Sequence, residues 1–143
     1  MDVFCEFAGT GGTFAGVAAF LKAQRPSIGC YIVEPKGAAV LSGQPVSESS
    51  HRIQGGGYAI PTLPLLSAAH IDRYVSVDDD LAVDAARRLA RYEGIFADQG
   101  VFVKSYVPLA NARNPSQPLR AALMFSILFS YVYIRMKRAA ISA

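Results

Sequence analysis

The sequence predicts an α/β fold in which a mostly parallel β-sheet is flanked by helices. An apolar run at residues 3–7 has strand character, and a loop rich in glycine follows it. A stretch with helical spacing and then a second apolar run come next. Strand, loop, helix and strand in this order form a βαβ unit, whose two strands lie parallel in one sheet.

Each element of the unit has its own signal. The first helix is predicted from Phe14 to about Gln24, because apolar side chains recur on one face and Pro26 stops it. The second strand is predicted at residues 28–33, a short apolar run that ends at Glu34 and Pro35. Together these elements predict the start of a parallel sheet, in which ligands bind beyond the carboxyl ends of the strands.

A further strand and helix are predicted in the second half of the chain. Residues 73–77 read as a strand, and Asp78 follows as the N-cap of a helix that ends before Gly94. Asp79 and Asp80 then place negative charge in the first helical turn, where the helix dipole favours it. Capping explains the three aspartates, and no metal site is predicted.

The loop after the first strand is the main candidate for a binding site. It consists of Gly9, Thr10, Gly11, Gly12 and Thr13, at the junction of a strand and a helix. Such a junction directs free backbone N–H groups and the positive end of the helix dipole at one point, which binds phosphate. The loop lacks the Gly-Lys-Ser/Thr ending of a nucleotide P-loop, since Phe14 follows Thr13, and Phe14 occupies the place of the third glycine of a dinucleotide fingerprint, so both motifs are disfavoured.

A second glycine run, Gly55-Gly56-Gly57, leaves two interpretations open. Glycines allow close approach of a backbone to a ligand, and they also occur in flexible loops. His51 and His70 are interpreted as loop residues, since neither has a carboxylate pair or a second histidine at helical spacing. Lys22 and Lys36 have no signal for the desolvated pocket that an imine-forming lysine needs.

Composition narrows the function classes. The chain has 143 residues, which is enough for one domain. Its net charge of +3 is small, and the sequence shows no stripe of basic residues that would favour nucleic-acid binding. Cys5 and Cys30 lie in or near apolar runs and are predicted to be buried free thiols, which fits a reducing compartment such as the cytoplasm. A domain that opens almost inside its first strand is expected to be truncated, and no signal peptide is visible.

Taken together, the motifs resemble those of the cysteine synthase and cystathionine β-synthase family, which are fold-type II, tryptophan synthase β-like, pyridoxal-phosphate enzymes. The resemblance covers residues 2–97 and rests on segments that occur in the family's order. These segments are Gly9 to Thr13, Leu21-Lys22, Val33-Glu34-Pro35, Val40-Leu41-Ser42-Gly43, His51-Arg52-Ile53-Gln54-Gly55-Gly56-Gly57 with Pro61, Ile71-Asp72, Arg87-Arg88-Leu89-Ala90, and Glu93-Gly94-Ile95-Phe96-Ala97.

The resemblance implies a cofactor site and a reaction. In the family the first loop holds the phosphate of pyridoxal 5′-phosphate, which carries over to Gly9, Thr10, Gly11, Gly12 and Thr13. The second run lies beside the cofactor ring, which carries over to Gly55 and Gly57. The family reaction is β-replacement on O-acetylserine with sulfide to give cysteine, and the family is typically homodimeric. A small amino acid is therefore the implied substrate, with no nucleic-acid partner.

The departures from the family are equally specific. The Schiff-base lysine and the loop that takes the substrate carboxylate belong to the family's N-terminal half, so no catalytic residue is assigned to this chain. The resemblance implies the C-terminal part of the large domain, inactive as it stands. A serine or threonine dehydratase-like enzyme is an alternative, because the substrate loop that distinguishes the two is missing.

After residue 97 the motif match ends, and the chain is therefore predicted to have three segments. Residues 1–97 form part of a pyridoxal-phosphate-dependent domain, residues 98–118 form a linker of unrelated sequence, and residues 119–143 form a hydrophobic and basic tail. Residues 121–134 are apolar or small and are predicted to form a helix. Three interpretations remain open: a shifted reading frame or retained intron, a buried or interfacial helix, or a tail anchor. The anchor would make this a non-catalytic, membrane-tethered protein; a mitochondrial location is a further alternative to the cytoplasm.

Overall fold

The computed structural model describes residues 2–53, 55–93, 120–124 and 131–135. Within these ranges the chain forms five strands and two α-helices, with single 3-10 turns at Lys36–Ala38 and Pro64–Leu66. The elements, in chain order, are β1 (Val3–Phe7), α1 (Gly12–Gln24), β2 (Gly29–Pro35), β3 (Arg73–Val77), α2 (Asp79–Glu93), β4 (Arg120–Met124) and β5 (Tyr131–Arg135).

The described strands form one mixed sheet in the order β3-β2-β1-β4-β5. β1 lies parallel to β2, with Val3 opposite Gly29, and β2 lies parallel to β3. On its other side β1 lies parallel to β4, with Val3 opposite Ala121, and only β5 runs antiparallel to its neighbour. The predicted α/β class with a mostly parallel sheet and flanking helices is therefore confirmed.

All five residues of β1 are buried, and because side chains alternate along a strand they contribute to both faces of the sheet. Phe4 belongs to a cluster with Phe14 and Ala18 of α1, and the rings of Phe4 and Phe14 stack with centroids 5.4 Å apart. The opposite cluster includes Phe7 of β1 and Ala82 of α2. α1 and α2 therefore contribute to the cores on opposite faces, which leaves the carboxyl ends of β1 and β2 as the open rim.

The predicted elements up to α2 agree with the observed ones. β1 and β3 have the predicted limits, and α1 begins two residues before Phe14. Asp78 caps α2, because its Oδ1 accepts a hydrogen bond of 2.9 Å from the backbone N–H of Leu81. The capping interpretation of this aspartate is confirmed, while Gly94 lies outside the described residues.

The C-terminal helix predicted over residues 121–134 is wrong where the structure describes it. Residues 120–124 form β4 beside β1, and residues 131–135 form β5. The periodicity of a short apolar run does not distinguish a buried strand from a buried helix. The β-branched and aromatic residues at 131–134 favour the strand. Residues 125–130 and the predicted segment limits near 97 and 118 lie outside the described residues.

Polar contacts connect α1 to the sheet. Lys22 Nζ lies 2.7 Å from Asp72 Oδ2, and the same carboxylate accepts a hydrogen bond of 2.7 Å from the backbone N–H of Cys30. Burial raises the pKa of Asp72, but the hydrogen bonds from Lys22 and Cys30 outweigh it and hold that pKa below its usual value. Asp72 thus links the helix after the first loop to β2.

Candidate functional site

The first glycine loop (residues 9–13) follows directly from β1 and passes into α1. Gly11, the N-cap of α1, has φ of +85°, a left-handed conformation that glycine adopts without the strain of a Cβ. A Cβ at Gly11 would also lie 2.6 Å from Leu66 Cγ. The glycine therefore sets both the turn into the helix and the close packing beneath it.

The N-terminus of α1 carries no capping side chain and no acidic residue in its first turn. The first N–H groups of a helix have no intrahelical acceptor, and the helix dipole adds positive potential there. Thr10 and Thr13 are both exposed and add hydroxyl groups at the same end of the helix. The loop therefore offers backbone N–H groups, two hydroxyls and a helix dipole to an anion.

The second glycine loop (residues 55–57) lies against the carboxyl ends of β1 and β2. A Cβ at Gly56 would lie 2.7 Å from the carbonyl oxygen of Ala8, and one at Gly57 would lie 2.5 Å from Pro35 Cγ. A Cβ at Gly9 would be 3.7 Å from the carbonyl oxygen of Gly55. The structure thus brings the two glycine loops close together, and Gly56 and Gly57 approach protein atoms at the ends of β1 and β2.

A cleft opens between the two loops, with about 290 Å³ of space that is open to solvent. Its lining includes Gly9 from the first loop, Gly57 from the second and Glu34 at the end of β2. Glu34 is buried, and its carboxylate accepts hydrogen bonds from the backbone N–H groups of Leu41 (2.7 Å) and Ser42 (3.0 Å). Glu34 therefore holds the segment around Leu41 that forms another side of the cleft.

The segment before the second loop is fastened to α2. The backbone N–H of Arg52 donates a 2.7 Å hydrogen bond to Asp79 Oδ2, and its guanidinium lies 2.6 Å from Asp80 Oδ1. Ile53 is buried in the core on the same side of the sheet. Asp79 and Asp80 thus bind Arg52 in addition to lying in the first turn of α2, a contact that the sequence analysis missed.

The remaining titratable candidates lie away from this cleft. Cys5 and Cys30 are buried free thiols, as predicted, and burial is the main cause that raises the pKa of each. His70 is exposed, and Lys22 is engaged by Asp72. Across the ranges that the structure describes, no three acidic, histidine or cysteine side chains come together as metal ligands would.

His51 was interpreted as an ordinary loop residue, and the structure gives it a specific contact. Its Nε2 lies 2.9 Å from the carbonyl oxygen of Gly57, across the second loop. No sequence signal marks this role, because a single histidine six residues before its partner has no periodicity or motif spacing.

Within the described ranges, no helix combines the length and apolar character needed to cross a membrane.

Comparisons with known proteins agree with this geometry. The sequence pattern of the family described as "Pyridoxal-phosphate dependent enzyme" matches residues 1–117. The chain is 32% identical over 126 residues to the O-acetylserine dependent cystathionine beta-synthase of Bacillus subtilis, covering 87% of this chain and 39% of that protein. It is 34% identical over 115 residues to cysteine synthase of Staphylococcus aureus, covering 80% of this chain and 36% of that protein.

A solved structure gives the same result. The crystal structure of the O-acetylserine dependent cystathionine beta-synthase from Helicobacter pylori matches with a TM-score of 0.70 and 30% identity, covering 80% of this chain and 37% of that one. The chain thus spans less than two fifths of the length of these relatives. The resemblance to the cysteine synthase and cystathionine β-synthase group is confirmed, and the chain belongs to the family of pyridoxal-phosphate dependent enzymes.

Proposed function

We propose that this chain is the part of a cysteine synthase-like enzyme that binds the phosphate of pyridoxal 5′-phosphate. The observation that carries the proposal is the uncapped N-terminus of α1, which follows Gly9 closely in the chain, while Gly9 lines a cleft together with Gly57 of the second loop. The first glycine loop would hold the phosphate through its backbone N–H groups and through the hydroxyls of Thr10 and Thr13. Gly55 and Gly57 would lie beside the cofactor ring.

The residues present fit a phosphate group. A phosphate dianion needs several hydrogen-bond donors and a positive potential, and the N-terminus of α1 supplies both without an acidic side chain in its first turn. Thr10 and Thr13 are exposed, so their hydroxyls reach a ligand without a change in packing. Gly9 lines the cleft, so the start of the first glycine loop is open toward it.

For the whole enzyme we propose β-replacement on an O-activated serine, with sulfide as the second substrate and cysteine as product. The names of the relatives, cysteine synthase and O-acetylserine dependent cystathionine beta-synthase, support this substrate class. The cofactor, when bound, supplies an electron sink for the bond cleavages at the amino acid. The residues of this chain bind its phosphate, orient its ring and form walls of the cleft.

We propose further that the 143-residue chain is inactive by itself. Among the described residues that line the cleft none is a lysine, and Lys22 is held by Asp72 on the α1 side of the sheet. A homodimer in the cytoplasm is part of the same proposal. The two free cysteines support a reducing compartment.

Pyridoxine 5′-phosphate is a suitable probe for the binding site, since it has no aldehyde and cannot condense with lysines. We expect the chain to bind it and to bind pyridoxine, which has no phosphate, far more weakly, as measured by equilibrium dialysis. Thr13→Val removes one hydroxyl donor and should raise the dissociation constant about tenfold, the size of a lost hydrogen bond to a charged group.

The matched control is Thr62→Val, the same change at an exposed threonine that lies outside the first glycine loop. This control should leave the dissociation constant unchanged. Equal affinity for pyridoxine and pyridoxine 5′-phosphate, or an equal effect of both threonine variants, would show that the first glycine loop is not a phosphate site.

Catalysis is tested separately, with O-acetylserine, sulfide and added pyridoxal 5′-phosphate. We expect no cysteine formation above that of a heat-killed sample of the same chain. Turnover above that background would contradict the proposed inactivity, while the binding experiment would still decide the cofactor site.

A further inference from the structure

His51 lies half-buried behind the second glycine loop, outside the proposed cofactor contacts. Its ring meets the ring of Phe7 edge-on, with centroids 6.4 Å apart and an interplanar angle of 86°. Phe7 is itself fully buried in the core. The imidazole therefore packs against a core residue, and its position is not that of a solvated loop side chain.

Among the described residues, the one polar contact of this ring runs from Nε2 to the carbonyl oxygen of Gly57, at 2.9 Å. A carbonyl oxygen only accepts hydrogen bonds, so Nε2 carries a hydrogen and is the donor. Nδ1 is buried and has no hydrogen-bond partner within the described residues. The ring thus acts through one nitrogen, and that nitrogen is directed at the loop.

The loop that receives this hydrogen bond has an unusual backbone. Gly55 and Gly57 have φ of +89° and +66°, and Ala59 has φ of +54°, which is a strained value for a residue with a Cβ. Such a backbone persists when surrounding contacts determine it. The hydrogen bond from His51 reaches this segment at Gly57, which lies between Gly55 and Ala59 in the chain.

The loop in turn faces the first glycine loop. The carbonyl oxygen of Gly55 lies beside Gly9, and Gly57 lines the cleft together with Gly9. A displacement of Gly57 would therefore change the width of the cleft where the proposed cofactor binds. Arg52, bound to Asp79 and Asp80, holds the other end of the segment to α2.

We propose that His51 is a positioning residue, which holds the second glycine loop against the first by donating Nε2–H to the Gly57 carbonyl. The consequence for binding rests on the proposed cofactor site, whereas the consequence for the loop does not. Without this hydrogen bond the loop samples positions away from Gly9, and the cleft binds its ligand more weakly.

Two substitutions separate the hydrogen bond from the bulk of the ring. His51→Leu keeps an apolar side chain of similar size but has no donor. His51→Gln retains an amide N–H that reaches the region of Nε2. The matched control is His70→Leu, at the other histidine of the chain, which is exposed and lies apart from the cleft.

The first readout is amide hydrogen exchange of residues 55–60 in the ligand-free chain. We expect His51→Leu to speed this exchange about threefold to tenfold, as the loss of one hydrogen bond allows, with His51→Gln within about twofold of the unaltered chain. The second readout is the dissociation constant of pyridoxine 5′-phosphate, which should rise by a similar factor in His51→Leu alone.

Urea unfolding of each variant separates the local effect from a general loss of stability. Faster exchange confined to residues 55–60, reversed by glutamine, supports the positioning role. Unchanged exchange in His51→Leu, or equal acceleration throughout the sheet in both His51 variants, would overturn it. Absence of pyridoxine 5′-phosphate binding by the unaltered chain would instead remove the proposed cofactor site, and the exchange experiment would still decide the role of His51.

Discussion

The two glycine loops lie side by side at the rim of the sheet, but their shapes depend on different parts of the chain. The first loop is set locally, since β1 precedes it, α1 follows it, and Gly11 makes the turn between them. The second loop depends on residues distant in sequence, because Gly56 contacts Ala8 and Gly57 contacts Pro35. A site can therefore combine a self-contained motif with a loop that only the complete fold positions.

The largest effect is expected at Gly56, where the second loop meets the backbone of β1's end. In Gly56→Ala the added Cβ would lie 2.7 Å from the Ala8 carbonyl oxygen and 2.7 Å from Phe7 Cδ1. Neither atom can move freely, so we expect a loss of about 2–3 kcal/mol in the free energy of unfolding, measured in urea.

Gly55→Ala is the matched control for that prediction. Gly55 has φ of +89°, but no atom of the described residues lies within 4 Å of an added Cβ, so only backbone strain of about 1 kcal/mol is expected. If both variants lost the same stability, backbone strain and not contact with β1 would shape the second loop.

A smaller effect is expected at Gly11 in the first loop. Gly11→Ala combines the strain of φ +85° with a Cβ only 2.6 Å from Leu66 Cγ, and it should cost about 2 kcal/mol. Leu66→Ala removes the side-chain atoms that the added Cβ would contact. In that background, the loss of unfolding free energy caused by Gly11→Ala should fall to about 1 kcal/mol, the backbone strain alone. An unchanged cost in that background would show that the contact with Leu66 does not matter.

The smallest effect concerns the acid sensitivity of the region behind the first loop. Since the pKa of Asp72 is lowered in the folded chain, its charge stabilises the fold above about pH 4, and this contribution is lost as pH falls through that lowered pKa. Asp72→Asn should therefore lower the urea midpoint at pH 7. The loss in the free energy of unfolding should be less than about 1 kcal/mol, because the side chain of Asp72 is partly exposed.

The difference between Asp72→Asn and the unaltered chain should shrink toward zero as the pH falls through the lowered pKa of Asp72. A difference that stays constant or grows on acidification would contradict the ion pair with Lys22 as its source.

The sequence predicted the βαβ unit, β3, α2 and its cap because each of these has a local signal. Asp78 precedes the apolar helical pattern and caps it, and Pro26 lies just after α1. The pairing of β4 with β1 has no such signal, since one short apolar run does not reveal its partner. The family resemblance implied that both glycine loops serve one cofactor, but the closeness of Gly9 to Gly55 and the role of His51 could be found only from distances in the structure.

The position of β1 in the sheet has a consequence for how the chain acquires its structure during synthesis. Val3 pairs with Gly29 on one side and with Ala121 on the other. The first edge can be completed as soon as β2 has left the ribosome, but the second remains open until β4 has been translated. Long-range parallel pairing of this kind forms late. Throughout that interval the nascent chain presents the backbone groups of its central strand to any extended segment or chaperone nearby.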